Sequence, residues 1–379
     1  VTPLEEYEVA LESSLAALSG SGLLRHLRLP GGIDLVSNDY LGLADHPRIR
    51  ERVGEALLAW GVGAGGSRLL RGHREVFGRL EERLASFSGS PGALLFGSGY
   101  LANLGLLGAV LTKDDLVLSD AHNHASLIDG IRLSGARRIV YPHLDVGAVS
   151  AALSGPRRGR AFIVTESVFS MEGDRAPLRE LAALAEGDGA LLIVDEAHAT
   201  GLFGARGSGL VEELGLRDSV LATVHTGGKA LGSGGAWIAG SSRLRDLLVN
   251  RARTFIFTTA PLLALPVALD AALDLLVEEP SRRHEVHRKA ALLRAALREG
   301  GVSVSGDTPI LPLVVGAPEA AVALEEELRR AGFDARAVRP PTVPEGTSRI
   351  RVTVRFPVSD ADLFRFASEV CRILRAQAA

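Results

Sequence analysis

The sequence predicts an α/β fold: a mostly parallel sheet covered by helices in a large domain, followed by a smaller α+β C-terminal domain. Three observations carry this. Short apolar runs recur at residues 93–96, 116–118, 138–141, 161–165, 190–194, 220–224 and 236–239, most of them without polar alternation, as strands buried on both faces require. Helical stretches, such as the one carrying Leu178, Leu181 and Leu184, lie between several of them. Towards the C-terminus the pattern changes, and residues 349–356 alternate strictly, the mark of a strand with one buried face.

In chain order, residues 3–18 set Leu4, Tyr7, Val9, Leu11, Leu15 and Leu18 along an approximately amphipathic helix. A short strand candidate and the run Ser37-Asn38-Asp39-Tyr40-Leu41-Gly42 come next. Pro47 near a helix start precedes Ile49, Val53, Ala56, Leu57 and Trp60 on one helical face. After the glycine-rich residues 61–66, Val76, Leu80, Leu84 and Phe87 mark another helix. The charged residues 278–285 read as a boundary or a long surface helix. Asp360 is placed to cap a last helix carrying Leu363, Phe366, Val370 and Leu374. The expected division is an N-terminal segment 1–45, a large domain 46–278 and a small domain 279–379.

Composition narrows the function classes. A chain of 379 residues, 46% hydrophobic and with a formal net charge of −3, has the size and balance of a soluble globular enzyme. No basic excess points to nucleic acid. A single cysteine, Cys371, excludes a disulfide framework and a cysteine-based zinc site, which suits the cytoplasm. The apolar residues 261–269 are cut by Pro266 and ended by Asp270, too short to span a membrane. Glu5, Glu6 and Glu8 make the start too acidic for a signal peptide.

Three motif matches are set aside. Residues 61–66 satisfy G-x-G-x-x-G, but a helix precedes them where a dinucleotide loop needs a strand. Asp195-Glu196-Ala197-His198 spells a helicase-like box, yet no phosphate loop accompanies it, since Lys229 is followed by Ala230. His122 and His124 lack a third ligand at metal spacing, so no metal is expected.

What remains is a set of groups just past strand ends. Lys229, the only lysine between Lys113 and Lys289, follows a β-branched run and sits among small residues that leave space for a flat ring. Such a lysine suits Schiff-base chemistry with a carbonyl cofactor, although an isolated lysine in a glycine-rich loop is ordinarily surface. Asp195 ends the run Leu191-Leu192-Ile193-Val194, where ligands bind in open α/β sheets, or else caps a helix. His198 lies three residues on. Gly97-Ser98-Gly99-Tyr100 opens an apolar helix whose N-terminus would bind phosphate, though alone it is a generic turn. His124 and Ser170 each follow a further strand.

Together these residues resemble the pyridoxal-phosphate enzymes of fold type I, the aspartate aminotransferase-like superfamily, and within it the α-oxoamine synthases. The resemblance is carried by Ser37-Asn38-Asp39-Tyr40-Leu41-Gly42, Gly65-Gly66-Ser67-Arg68, His124-Ala125-Ser126, Asp195-Glu196-Ala197-His198-Ala199-Thr200-Gly201 and Thr226-Gly227-Gly228-Lys229, spaced over nearly the whole chain. It implies that Lys229 forms the Schiff base and serves as base, that Asp195 pairs with the pyridine nitrogen, and that His124 stacks on the ring. It further implies that Gly99, Tyr100 and Thr226 hold the phosphate, and that Ser170 and His198 lie near the phenolic oxygen. Thr258 and Thr259 match positions that reach the phosphate of a neighbouring subunit, which makes a homodimer with shared active sites the expectation.

Within that family, Arg339-Pro340-Pro341-Thr342-Val343-Pro344 resembles the branch that joins L-alanine to a pimeloyl thioester, on CoA or acyl carrier protein, in biotin biosynthesis. Arg25, Asn38 and Thr342 match substrate-contact positions there. Arg349 matches the arginine that binds the amino-acid carboxylate, or else is a solvent-facing residue of its alternating strand. Two departures stand out: Phe77 replaces a common histidine, and Gly227 replaces a residue that is often bulky. The alternatives are another α-oxoamine synthase, such as a glycine C-acetyltransferase, then an aminotransferase, and from another class a non-catalytic nucleotide-binding or interaction protein.

Overall fold

Each of the seven apolar runs is a strand, and the seven form one sheet in the unit built from Asn38–Ser170 and Asp174–Val286. The structure, a computed structural model, describes residues 1–378. The strands are β1 (Gly92–Phe96), β2 (Leu116–Asp120), β3 (Arg137–Tyr141), β4 (Ala161–Glu166), β5 (Ala190–Asp195), β6 (Ala222–Thr226) and β7 (Ala236–Gly240). Their spatial order is β1-β7-β6-β5-β4-β2-β3. Only β7 runs against its neighbours, so the sheet is mostly parallel, as expected.

Several strands outrun their apolar runs, ending on Asp120, Glu166, Asp195 and Thr226. Ladder bonds come from the backbone, so a polar residue can stay in register, as Glu166 does opposite Asp195. β6 begins two residues later than its apolar run because Arg217–Ser219 forms a tight 3-10 turn ahead of it. β3, on the sheet edge, is only partly buried.

The helix Gly99–Val110 is apolar nearly all round, and such a helix belongs inside. Its Ala102, Leu106 and Leu107 pack with Phe96, Leu127, Ile193 and Val224 in the main core. Each leucine so buried contributes roughly 1.5–3 kcal/mol. The helix Pro47–Trp60 departs from expectation: Ile49 and Ala56 are buried, but Leu57 and Trp60 of the same predicted face are exposed. The following helix, Glu75–Ser88, buries Phe77, Leu80 and Leu84, with Val76 and Phe87 at its margins.

The second unit comprises Val1–Ser37, Met171–Gly173 and the chain from His287 onward. Its N-terminal helix Pro3–Gly20, closed by a Thr2–Glu5 capping box, buries none of its residues. Ile33–Asp34 pairs in parallel with Phe333–Asp334. A three-stranded antiparallel sheet follows the order β9-β10-β8, with β8 Ile310–Gly316, β9 Arg336–Val338 and β10 Ser348–Thr353. The alternation of residues 349–356 predicted one solvent face, and this is corrected: all six residues of β10 are buried. It is the central strand, and its arginines find internal partners; Arg351, for example, donates to Thr353 Oγ1 at 2.8 Å. The last helix, Asp360–Ala378, is capped by Ser359, whose Oγ accepts the Asp362 N–H at 3.1 Å. Asp360, expected in that role, instead pairs with Arg288 at 2.8 Å. Among the described residues no helix is long and apolar enough to cross a membrane.

Candidate active site

The chain passes from β2 to β3 in one direction along the sheet and from β3 to β4 in the other, so the strand order reverses between β2 and β4. Ligands of open α/β sheets bind at such a reversal, beyond the carboxyl ends of the strands. The segments leaving β1, β2, β4, β5 and β6 all emerge at that edge. They bear Gly99, His124, Ser170, Asp195 and Thr226 with Lys229.

Past β1, Ser98 caps the helix Gly99–Val110, and its side chain accepts the Leu101 N–H at 3.3 Å. The N–H groups of Gly99 and Tyr100, in the first turn, have no intrahelical acceptor. A Cβ on Gly99 would lie 3.9 Å from Thr226 Oγ1, so this helix terminus faces the end of β6. Thr226 Oγ1 also accepts the Gly228 N–H at 3.3 Å. Free N–H groups beside a hydroxyl, at a helix N-terminus, form a cradle for an anion such as phosphate.

Lys229 is half-buried in the turn that follows. Its carbonyl accepts the Gly232 N–H at 2.9 Å. Gly232 has φ +57°, and a Cβ there would lie 2.2 Å from Ala44 N, so that position admits only glycine. At Gly227 a Cβ would lie 2.2 Å from Leu269 Cδ2: a leucine from the helix Ala264–Glu278 occupies the space of the bulky residue this position lacks. The glycines on either side of Lys229 therefore serve close packing; Gly228 alone is open.

Asp195 is buried at the end of β5. Its Oδ1 accepts the Ala197 N–H at 2.8 Å and its Oδ2 the Asn103 amide at 2.7 Å. Asn103 also donates to Ser126 Oγ at 2.9 Å, and Ser126 Oγ lies 2.8 Å from His124 Nδ1. The His124 backbone N–H donates to Glu166 Oε1 at 2.6 Å. Burial holds His124 below the ordinary histidine pKa; Asp195 opposes this, while the Lys229 ammonium adds to it. Lys229, Asp195 and His124 are thus brought together. Glu196 points elsewhere: it accepts the Ser167 hydroxyl and the Leu210 and Val211 N–H groups, and burial pushes its pKa up to about 7.

His198 is buried, with Nδ1 2.8 Å from the Tyr40 hydroxyl. Ser170 is buried at the end of the segment after β4, and half-buried Asn38 accepts the Tyr40 N–H at 2.8 Å. The Tyr100 hydroxyl donates to Asp129, so only its backbone is available to the cradle. Thr258 and Thr259 lie elsewhere in the chain, just ahead of Ala260. Their segment is tied to the glycine-rich loop by the Ala260 N–H, which donates to Gly66 O at 3.0 Å.

In the second unit, Arg25 and the Thr342 N–H both donate to Arg339 O, at 3.4 and 3.1 Å. Arg349, opposite Val338 in the ladder, is buried. It donates to Thr347 O at 3.0 Å and to Met171 O and Glu172 Oε1 at 3.1 Å each. The solvent-facing reading of Arg349 is therefore excluded. Sequence reading missed Asn103, Glu166 and Glu172, and quoted Tyr40 in a motif without giving it a role. Asn103 had a signal, as an amide within the otherwise apolar helix Gly99–Val110.

Comparison with known proteins bears on the family and the fold. The profile of the aminotransferase class I and II family matches residues 30–370. An 8-amino-7-oxononanoate synthase from Anaeromyxobacter dehalogenans is 45% identical over 377 residues, covering 96% of this chain and 94% of that protein. The synthase of the same description from Geobacter sulfurreducens is 43% identical, covering 96% and 97%. Among solved structures, a serine palmitoyltransferase from S. paucimobilis with a bound PLP–myriocin aldimine has a TM-score of 0.91 at 27% identity, over 99% of both chains. An 8-amino-7-oxononanoate synthase from Francisella tularensis shares the fold, with a TM-score of 0.81 at 24% identity, over 92% of this chain and 99% of that one.

Proposed function

We propose, from the premise that the chain belongs to the aminotransferase class I and II family and, within it, to the 8-amino-7-oxononanoate synthases, that it is a pyridoxal-phosphate-dependent acyltransferase. It condenses L-alanine with a pimeloyl thioester, on CoA or acyl carrier protein, releasing carbon dioxide and the free thiol and forming 8-amino-7-oxononanoate for biotin biosynthesis. The observation that carries this is the meeting of Lys229, Asp195 and His124 at the strand-order reversal, beside an anion cradle.

The residues present fit the cofactor. The Gly99 and Tyr100 N–H groups with Thr226 suit its phosphate, and Asp195 offers a buried carboxylate to a protonated ring nitrogen. His124 offers a ring face, with Ser170 and His198 towards the phenolic oxygen. Pyridoxal phosphate supplies the electron sink for charge developing at the alanine α-carbon. Lys229 Nζ holds the cofactor and takes the α-proton. His124 places a hydrogen-bond donor at the thioester carbonyl oxygen. Arg349 binds the carboxylate of alanine, steadied by Glu172, Met171 O and Thr347 O. Arg25, Asn38 and Thr342 contact the acyl substrate.

The working form is a homodimer with shared active sites, in which Thr258 and Thr259 serve the partner's phosphate. Trp60, Val62, Leu69, Leu70, Phe257 and Leu262, all exposed around the glycine-rich loop and the threonine segment, support a second copy covering this face. The site of action is the cytoplasm. The test is a spectral titration of yellow, cofactor-loaded protein with alanine, glycine and serine, followed by CoA release with pimeloyl-CoA. A response to glycine alone would move the assignment to another α-oxoamine synthase, and a colourless protein that takes up no pyridoxal phosphate would refute it.

A further inference from the structure

Asn103 and Ser126 belong to no role assigned above, yet both are buried at the centre of the site. The Asp195 carboxylate only accepts hydrogen bonds, so the Asn103 group facing it at 2.7 Å is the NH2 end. Its second amide hydrogen goes to Ser126 Oγ at 2.9 Å. Ser126, having accepted there, has one hydroxyl hydrogen left, and His124 Nδ1 lies 2.8 Å away. The Ser126 backbone N–H points at the same nitrogen, at 3.3 Å. A hydrogen on Nδ1 would set two donors against each other.

We infer that Asn103 and Ser126 are positioning residues that fix the neutral Nε2–H tautomer of His124 and tie it to the orientation of the Asp195 carboxylate. One side-chain amide thereby serves two functional groups. Asp195 Oδ2 is held so that the carboxylate keeps capacity for a ring nitrogen, and His124 presents a donor on the nitrogen farther from its own backbone. Among the described residues, Asn103 Oδ1 is buried without a hydrogen-bond partner. A residue retained only to satisfy the interior would use both ends of its amide; this one uses its two hydrogens and leaves the carbonyl unserved. Burial acts in the same direction, favouring the uncharged ring.

What His124 does with its donor rests on the proposed function; the tautomer does not, and the two fail separately. Protein labelled with 15N-histidine is examined by long-range proton–nitrogen correlation, with His124 assigned through His124→Gln. The expected result is a bare Nδ1 and a protonated Nε2 in the wild type, with or without cofactor. Ser126→Ala and Asn103→Leu should convert His124 to a tautomer mixture, whereas Ser126→Thr, which keeps the hydroxyl, should not. Asn103→Leu should also weaken pyridoxal phosphate binding about tenfold, read by absorbance titration. His225 serves as a fold control in each spectrum. A protonated Nδ1 in the wild type, or an unchanged tautomer in both folded variants, overturns the inference. The wild-type spectrum alone decides it should either variant not fold.

Discussion

His124 and His225 stand in the same unit, one past β2 and one within β6, and burial keeps both neutral. They differ in what is fastened. The Thr200 hydroxyl donates to Glu196 O at 2.8 Å, so it accepts from His225 Nδ1 at 2.9 Å, while His225 Nε2 accepts from Thr223 at 2.7 Å. Its ring stacks on Trp237, with centroids 4.9 Å apart and planes 11° from parallel, and burial drives its pKa down to about 3. Both nitrogens of that imidazole are committed, and one face is stacked. His124 has the opposite tautomer, one nitrogen fastened to Ser126 and the other left for chemistry. Burial makes a histidine neutral; the count of fastened nitrogens decides whether it is structure or reagent.

The largest effect sharpens the chemical side of this comparison. Lys229→Ala should lower turnover by at least about 10⁴-fold, because base and Schiff-base anchor vanish together. Thiol release from the pimeloyl thioester reads it, and borohydride should no longer fix cofactor to the protein. Full synthase rates in this variant would remove Lys229 from the chemistry.

Paired substitutions then address the histidines themselves. His124→Asn should reduce kcat/KM about 10²–10³-fold and leave the melting temperature nearly unchanged. His225→Asn should do the reverse, costing about 2 kcal/mol of stability through its stranded threonine partners and lost stacking, with activity per folded molecule within a few-fold of wild type. If both variants lost activity equally while folded, the division between structure and reagent would collapse.

The same division explains what could be read from the sequence. All seven strands of the large sheet announce themselves as apolar runs, because a strand covered on both faces, as all but the partly buried β3 are, has no other composition open to it. Their polar ends do not, since Asp120, Glu166 and Asp195 interrupt the apolar pattern while the backbone ladder continues. Position past strand ends singled out Lys229, Asp195 and His124, and resemblance supplied their roles, whereas Asn103 and Glu166 act only through neighbours distant in sequence. β10 misled because alternating arginines signal solvent unless the fold provides internal acceptors, as it does for Arg349 and Arg351. The small residues around Lys229 were legible but their reason was not. Gly232→Ala should cost about 3 kcal/mol in denaturant unfolding, combining positive φ with overlap on the Ala44 backbone. The more conservative Gly228→Ala, which meets nothing closer than 3.7 Å, should cost little stability.

A third histidine extends the comparison to a fully fastened but charged ring. His143 lies between two carboxylates, with Nδ1 2.8 Å from Asp120 and Nε2 3.0 Å from Asp174, and stacks on His122 at a centroid distance of 4.0 Å. Burial alone would lower its pKa, but the hydrogen bonds and charges of the two aspartates outweigh it and raise it to about 9. Because the folded value lies above the ordinary value of about 6.5, the bound proton stabilises the fold. That contribution, nominally about 3 kcal/mol, is complete below pH ~6.5 and is lost as pH rises through about 9. Between pH 7 and pH 9 the wild type should therefore lose about 2 kcal/mol that a His143→Gln variant, lacking the titrating group, does not. Urea unfolding of both cofactor-loaded proteins across this range reads the difference. Convergence of the two stabilities near pH 10 would mark His143 as a structural cation, and parallel curves would show that its charge contributes nothing to the fold.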